Sequence, residues 1–200
     1  MTATNEKDST DVRFLILEAA QERFVQYGFN KTTMAEIAKD CQMSASNIYR
    51  FFPSKLDIAA GLACRCLDEE ADALQAVIAK KELSATERLR EFIFTLFEET
   101  YTKWSEQPRM TETVVAICNE RMDIVDQHIH RKHALLTTLL REGVDNNEFM
   151  VKDLQVTAEA ISTTLTIFDV PMFMPMFTRE AFERKAASVF ELIVNGVKKH

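Results

Sequence analysis

Three times in its first ninety residues the chain repeats one short pattern, a serine or threonine followed three positions on by an acid. Thr33-Met-Ala-Glu36, Ser54-Lys-Leu-Asp57 and Ser84-Ala-Thr-Glu87 each head a segment whose apolar residues recur every three to four positions. In such a box the hydroxyl accepts from a backbone N–H one turn on and the acid reaches back, so each marks a helix N-terminus. The same helical period runs through almost the whole chain. Only four glycines and four prolines leave too few tight turns for an all-β fold and too little glycine for a Gly-rich phosphate loop. The fold class is therefore read as all-α, with about nine helices and no strand.

The first helix is predicted to bury Val12, Leu15, Ile16, Ala19, Phe24 and Tyr27, with Gly28 as a left-handed C-cap. A short second helix follows Thr33 and turns Met34, Ile37, Ala38 and Cys41 inward. Ser44 caps a short third helix with Ile48 and Phe52 on its buried face, and Pro53 breaks it. A long fourth helix runs to about Lys80. The next begins at Ser84 and carries Leu89, Phe92, Ile93, Leu96 and Phe97 towards Trp104, before Pro108. Residues 109–146 read as one or two helices, ending near Asn146-Asn147. A helix over 153–169, the proline-bearing loop 170–177 and a last helix from Thr178 to near Gly196 complete the chain.

Composition sets outer bounds. A content of 46% hydrophobic and 28% charged residues is that of a globular protein. The polar, acidic start lacks a signal-type apolar stretch, and Val170–Phe177 falls far short of a membrane span, so a cytoplasmic protein is expected. Cys41, Cys64, Cys66 and Cys118 form no CxxC pair and read as thiols in a reducing compartment. There is no nucleophile elbow, HExxH, P-loop or Rossmann fingerprint, so no enzyme and no cofactor is expected. Adjacent carboxylates such as Glu69-Glu70 and Glu98-Glu99 diverge on a helix and read as solvated surface. Asp126, His130 and His133 share a helix face that His128 does not. Three ligands from one helix without a clear fourth make a weak metal site, and none is assigned.

Residues 32–52 meet the requirements of a DNA-binding helix-turn-helix: two short helices, a turn of three or four residues, and a second helix polar on its outer face. With Ile48 and Phe52 buried, Ala45, Ser46, Asn47, Tyr49 and Arg50 are left to face a groove or its walls. Small residues at the start of that helix permit close approach to the bases, and Asn47 offers the donor and acceptor that suit adenine. The net charge is −7, yet between Lys31 and Lys55 four basic residues against two acidic leave +2, so the remainder carries −9. That remainder disfavours non-specific coating of a polyanion.

From Ile16 to Ile58 the chain resembles the N-terminal domain of the TetR family of transcriptional regulators. The resemblance rests on Ala19-Ala20 and Phe24, the Tyr27-Gly28-Phe29 stop, Thr32-Thr33 before Ile37-Ala38, and above all Ile48-Tyr49-Arg50-Phe51-Phe52-Pro53-Ser54-Lys55. It implies base reading at Ala45, Ser46 and Asn47. It also implies phosphate contacts at Thr32, Thr33, Ser44, Tyr49 and Lys55, the last at a helix N-terminus that favours phosphate. Phe51 departs from the family's frequent His or Tyr, so that contact is missing and Arg50 stands in for it.

The resemblance further implies two domains, residues 1–56 for DNA binding and 57–200 for an internal ligand pocket and dimerisation through the last two long helices. Leu154, Ala158, Ile161, Leu165 and Phe168 form one stripe on helix 153–169, and Val156, Ala160 and Ile167 form another. Phe182, Ala186, Val189, Phe190, Ile193 and Val197 line the last helix. A helix apolar on two sides needs a second partner, and two such helices meeting their symmetry mates make an isologous four-helix interface. Phe97, Tyr101, Trp104, Met110, Cys118, Met122, Phe168, Met172, Phe173, Met174, Met176 and Phe177 suit an apolar pocket, though side chains of this kind serve equally as ordinary core. The function this implies is a ligand-responsive repressor that binds a pseudo-palindromic double-stranded operator as a homodimer and is released by a small apolar effector. The alternative keeps the DNA-binding module and gives the C-terminal domain to protein contacts or DNA organisation.

Overall fold

The computed structural model describes residues 3–199, so the polar start at Met1 and Thr2 and the terminal His200 lie outside the described residues. Nine α-helices follow in order: α1 Ala3–Tyr27, α2 Met34–Asp40, α3 Ala45–Phe51, α4 Lys55–Ile78, α5 Ala85–Glu106, α6 Thr111–Glu120, α7 Met122–Asp145, α8 Leu154–Asp169 and α9 Arg179–Val197. Pro108–Met110 and Pro171–Met176 form 3-10 turns. Among the described residues β pairing is limited to one isolated bridge, Phe149 with Lys198. The loop read from its prolines is thus ordered as a helical turn, with Met174 fully buried.

The capping boxes act as their spacing predicts. Ser54 Oγ accepts from the Asp57 N–H at 3.2 Å, and Ser84 Oγ accepts from the Glu87 N–H at 3.1 Å while Glu87 receives the Ser84 N–H. Asp153 and Thr178 cap α8 and α9 through their own side-chain oxygens. Residues 109–146 divide into two helices at Arg121, whose backbone leaves the helical region.

The chain forms two compact units. The first runs to Cys66 and also takes in Gln107–Val125; the second comprises Leu67–Glu106 and Asp126 onward. The helix-turn-helix unit therefore extends past residue 56, because Ile58, Ala59 and Leu62 of α4 and Ile117 of α6 are buried and belong to it. Its inward face on α1 is Ile16, Ala20 and Phe24, whereas Leu15 and Tyr27, predicted to be inside, are 49% and 44% exposed. The helix is rotated by about one position from the stripe with the most bulk.

The second unit has the larger core. Phe92, Leu96 and Phe97 of α5, Leu136 and Leu140 of α7, Ile161, Leu165 and Phe168 of α8, and Phe182, Phe190, Val194 and Val197 of α9 are all buried together. Arg88, only 2% exposed, donates to the Ile78 carbonyl at the end of α4 (3.0 Å) and to Glu142 on α7 (2.6 Å). Glu70, read above as solvated, is instead buried against α7. Its neighbour Glu69 takes the outer position.

Candidate nucleic-acid interface

The interface begins with how two seven-residue helices are held. Thr33 Oγ1 accepts from the Glu36 N–H at 3.3 Å, and Glu36 receives both the Thr33 N–H (2.9 Å) and hydroxyl (2.8 Å). Those two bonds, from the Thr33 hydroxyl and then its backbone, hold the Glu36 carboxyl below its ordinary pKa. The end of α2 is a Schellman turn: the Met43 N–H reaches the Ala38 carbonyl at 2.8 Å and the Gln42 N–H reaches the Lys39 carbonyl at 3.0 Å. Gln42 occupies the left-handed position, at φ +55°, where glycine is the usual residue, so no glycine marks this turn in the sequence.

Ser44 then caps α3, accepting from the Asn47 N–H at 3.2 Å and sharing a 3.0 Å hydrogen bond with the Ser46 hydroxyl. Ile48 and Phe52 point inward, at 0% and 2% exposure. This rotation leaves Ala45, Ser46, Tyr49 and Arg50 exposed and Asn47 half-buried. Four of the five residues expected on the outer face are thus exposed, and Asn47 sits partly against the unit.

Two predicted contacts are used inside the unit. Thr32 is buried, and its hydroxyl donates to the Gly28 carbonyl at 2.9 Å. Lys55 Nζ donates to the Phe29 and Thr32 carbonyls at 2.5 and 2.8 Å and lies over the Phe29 ring. Burial lowers its pKa, against the opposing pull of Glu112 and Glu36. Lys55 thus pins the turn after α1 to the start of α4. The sequence also gave no signal for Arg23, which bonds to Asp40 and lies 3.5 Å from Glu36. It offsets the two acids of α2 beside the recognition helix.

Gly28 is required by its backbone, and the space over it is taken by the end of a long side chain. Its φ is +88°, and a Cβ there would stand 2.7 Å from the Glu112 carboxylate of α6. Glu112 also receives the Asn30 N–H at 3.1 Å, which ties α6 to the helix-turn-helix. Phe29, Asn30 and Leu56 face Thr111, Glu112 and Val115 across a groove of about 560 Å³ in this unit.

The residues expected to line an effector pocket divide between the units. Phe97, Tyr101, Trp104, Phe168, Met172, Phe173 and Phe177 lie in the second, and Met110, Cys118 and Met122 in the first. In the second unit Phe97 stacks on Phe182 with centroids 5.6 Å apart and meets Phe168 edge-on at 6.4 Å. Phe177 meets Phe182 at 5.3 Å, and Tyr101 meets Trp104 at 5.6 Å. Met172 is exposed, Phe173 half-buried and Met122 exposed. Burial raises the Cys118 thiol.

Of the residues expected at a dimer interface, Ile161, Leu165, Phe168, Phe182, Phe190 and Val197 are buried within the protomer itself. Leu154, Val189 and Ile193 are half-buried. The exposed large apolar residues on these helices are Val156 at 62% and Leu192 at 70%, and Ala160 beside Val156 is exposed too. Both helices turn their densest stripe into their own core, and the thinner second stripe looks outward. Asp126 and His130 are exposed and His133 half-buried; burial, ahead of its charged neighbours, lowers the His133 imidazole.

A short polar recognition helix, capped and packed by its apolar face on a three-helix unit, followed by a larger helical body, defines a helix-turn-helix DNA-binding protein. The family of bacterial regulatory proteins named for tetR matches residues 16–62, and the tetracyclin repressor-like C-terminal domain matches residues 85–190. The chain belongs to the TetR family of transcriptional regulators. It is 30% identical over 147 residues to the HTH-type transcriptional regulator YfiR of Bacillus subtilis, covering 67% of this chain and 66% of that one. It is 26% identical over 108 residues to the HTH-type transcriptional repressor BepR of Brucella suis, covering 46% and 52%. The chain thus spans less than two thirds of these curated relatives. In fold it is similar to SmeT, the repressor of the Stenotrophomonas maltophilia multidrug efflux pump SmeDEF, with a TM-score of 0.70 at 17% identity over 94% of this chain and 90% of that one. No helix among the described residues is long and apolar enough to cross a membrane.

Proposed function

We propose that the chain is a one-component repressor that binds a pseudo-palindromic operator as a homodimer and leaves it when a small, largely apolar effector binds. The observation that carries the reading is the outer face of α3. Ala45, Ser46, Tyr49 and Arg50 stand exposed beside half-buried Asn47, on a helix with one acid-free turn at each end. Asn47 and the small residues before it read base edges. Tyr49, Arg50, Thr33 and Ser44 meet phosphates, while Thr32 and Lys55 act through the turn they hold. A reading edge of three residues specifies few base pairs, so two copies about one helical turn or more apart complete the site.

Val156 and Leu192, exposed on α8 and α9, mark the surface on which a second copy docks, with Leu154, Val189 and Ile193 at its margin. The SmeT fold has been solved with triclosan bound. A compact aromatic ligand of that kind suits the ring cluster around Phe97, Tyr101 and Trp104. In this mechanism the ligand changes the setting of α4, which starts at Lys55 in the first unit and ends at Ile78 in the second, and hence the separation of the two recognition helices. Coupling of about 1–3 kcal/mol is typical of such switches.

A binding series across operator variants tests the DNA reading, with a screen of apolar compounds for thermal stabilisation followed by operator release. Sedimentation at micromolar concentration should give twice the chain mass. A particle of 22.9 kDa would overturn the dimer, and operator binding that no stabilising compound relieves would overturn the effector.

A further inference from the structure

Four ionisable side chains converge inside the second unit. Glu70 comes from α4, His128 and Lys132 from α7, and Asp169 from the last position of α8. His128 Nε2 lies 2.8 Å from Glu70 Oε1, Lys132 Nζ lies 3.9 Å from the same oxygen, and Lys132 is bonded to Asp169. The side chains of His128 and Lys132 are each 4% exposed, that of Glu70 9% and that of Asp169 16%. Such burial is costly for charge unless it is matched; within the cluster Lys132 is the ammonium beside two carboxylates, and Lys103 of α5 adds to the pull on Glu70. Burial pushes the Asp169 carboxyl up, against the pull of Lys132.

We infer that Glu70, His128 and Asp169 form a binding site for a divalent transition-metal ion, with Lys132 as the cation that fills the place when no metal is bound. One donor atom from each of the three residues lies within 4.8 Å of the others. Donors on a tetrahedral zinc ion, each about 2.1 Å from it, stand roughly 3.4 Å apart, so side-chain shifts on the order of 1 Å close the triangle. The three come from three different helices, unlike Asp126, His130 and His133, which share one.

The imidazole supplies the second observation. Nδ1 of His128 is buried and has no hydrogen-bond partner among the described residues. A buried polar atom left unmatched costs free energy, and here the ring is held from one side alone. To ligate an ion beside Glu70, Nε2 gives up its hydrogen bond to that carboxylate and turns its lone pair to the metal, with the proton carried by Nδ1, which no acceptor among the described residues ties.

The donor set selects the ion class. One imidazole with two carboxylates suits zinc, manganese, iron(II) or cobalt(II) better than calcium, which takes six to eight oxygens. Three protein ligands leave a further position for water or a small ligand, and the partial exposure of Asp169 provides the entry side. A bound dication neutralises both carboxylates and displaces the Lys132 ammonium.

Calorimetric titration of chelator-treated, full-length protein with Zn²⁺, Mn²⁺ and Co²⁺ in turn tests this. The expected result is one ion per chain, with visible absorption bands from Co²⁺. His128→Ala should weaken binding by about tenfold or more, and His128→Gln serves if the alanine variant does not fold. Lys132→Met, which removes the competing ammonium, should tighten it by about tenfold, whereas His130→Ala should leave it unchanged. Failure of the wild-type chain to bind any of the three ions at millimolar concentration would overturn the assignment. So would binding that neither His128 variant weakens, which would place the ion elsewhere.

Discussion

The two units of the molecule handle charge in opposite ways. In the helix-turn-helix unit the ionisable groups keep to the surface or its margin: Arg23 with Asp40 and Glu36, Arg65 with Glu18, and Arg50 exposed on α3, with Lys55 drawn partly inside to the turn carbonyls. Its interior is apolar, with Ile16, Phe24, Ile37, Ile48 and Phe52 buried. The second unit has the larger apolar core, yet it holds Arg88, Glu70, His128 and Lys132 inside. Outer charges are cheap to place and free to meet a polyanion. Inner ones are costly unless they are matched, so they fix how helices sit on one another or receive an ion.

Substitutions break or sharpen this contrast, and the largest effect is expected inside. In chelator-treated protein Lys132→Met leaves two carboxylates without their ammonium and should cost about 3–5 kcal/mol in denaturant unfolding. Arg23→Met, the comparable change outside, should cost about 1 kcal/mol or less. Equal losses would erase the distinction.

On the outer face, Asn47→Ala should relax preference at one or two base pairs by about 1–3 kcal/mol each, read by binding to a series of operator variants. Uniform loss on every variant would remove Asn47 from base reading. Gly28→Ala, which places a Cβ in the left-handed region, should cost about 1–2 kcal/mol and lower the melting midpoint. Gln42→Gly is its mirror, since it relieves a left-handed residue, and should stabilise by up to about 1 kcal/mol.

The smallest effect is acid sensitivity at the rim of the second unit. Hydrogen bonds from Lys81 and then Arg88 hold the Glu142 carboxyl below its ordinary value of 4.5. Because the folded-state pKa is the lower one, the stabilisation is complete above about pH 4.5 and fades as pH falls through the depressed value. Urea midpoints of wild type and Glu142→Gln should therefore differ at pH 7 and converge as the carboxylate protonates.

How much of this was legible in the sequence follows from the range of the interactions. Caps act within three or four residues, so the boxes at Thr33, Ser54 and Ser84 placed their helices. The outer face of α3 followed from Ile48 and Phe52. Rotation was harder: on α1 Ile16 and Phe24 were placed inside as predicted, but Leu15 and Tyr27 are exposed and Ala20 takes the inner position. The same error put the buried stripes of α8 and α9 at an interface between copies. The inner charges were out of reach, because Glu70 and His128 are 58 residues apart and Glu70 reads locally as surface. The bonds of Lys55 to two turn carbonyls were equally out of reach, because nothing in its spacing shows them.

The central claim, that α3 reads a defined DNA sequence, is tested most directly by selection from a random double-stranded library at fixed salt. Wild-type protein should enrich one inverted repeat, with half-sites about one helical turn or a multiple of it apart, and the Tyr49→Ala/Arg50→Ala double variant should enrich none. Recovery of no sequence by the wild type, or of the same sequence by the variant, would contradict the account.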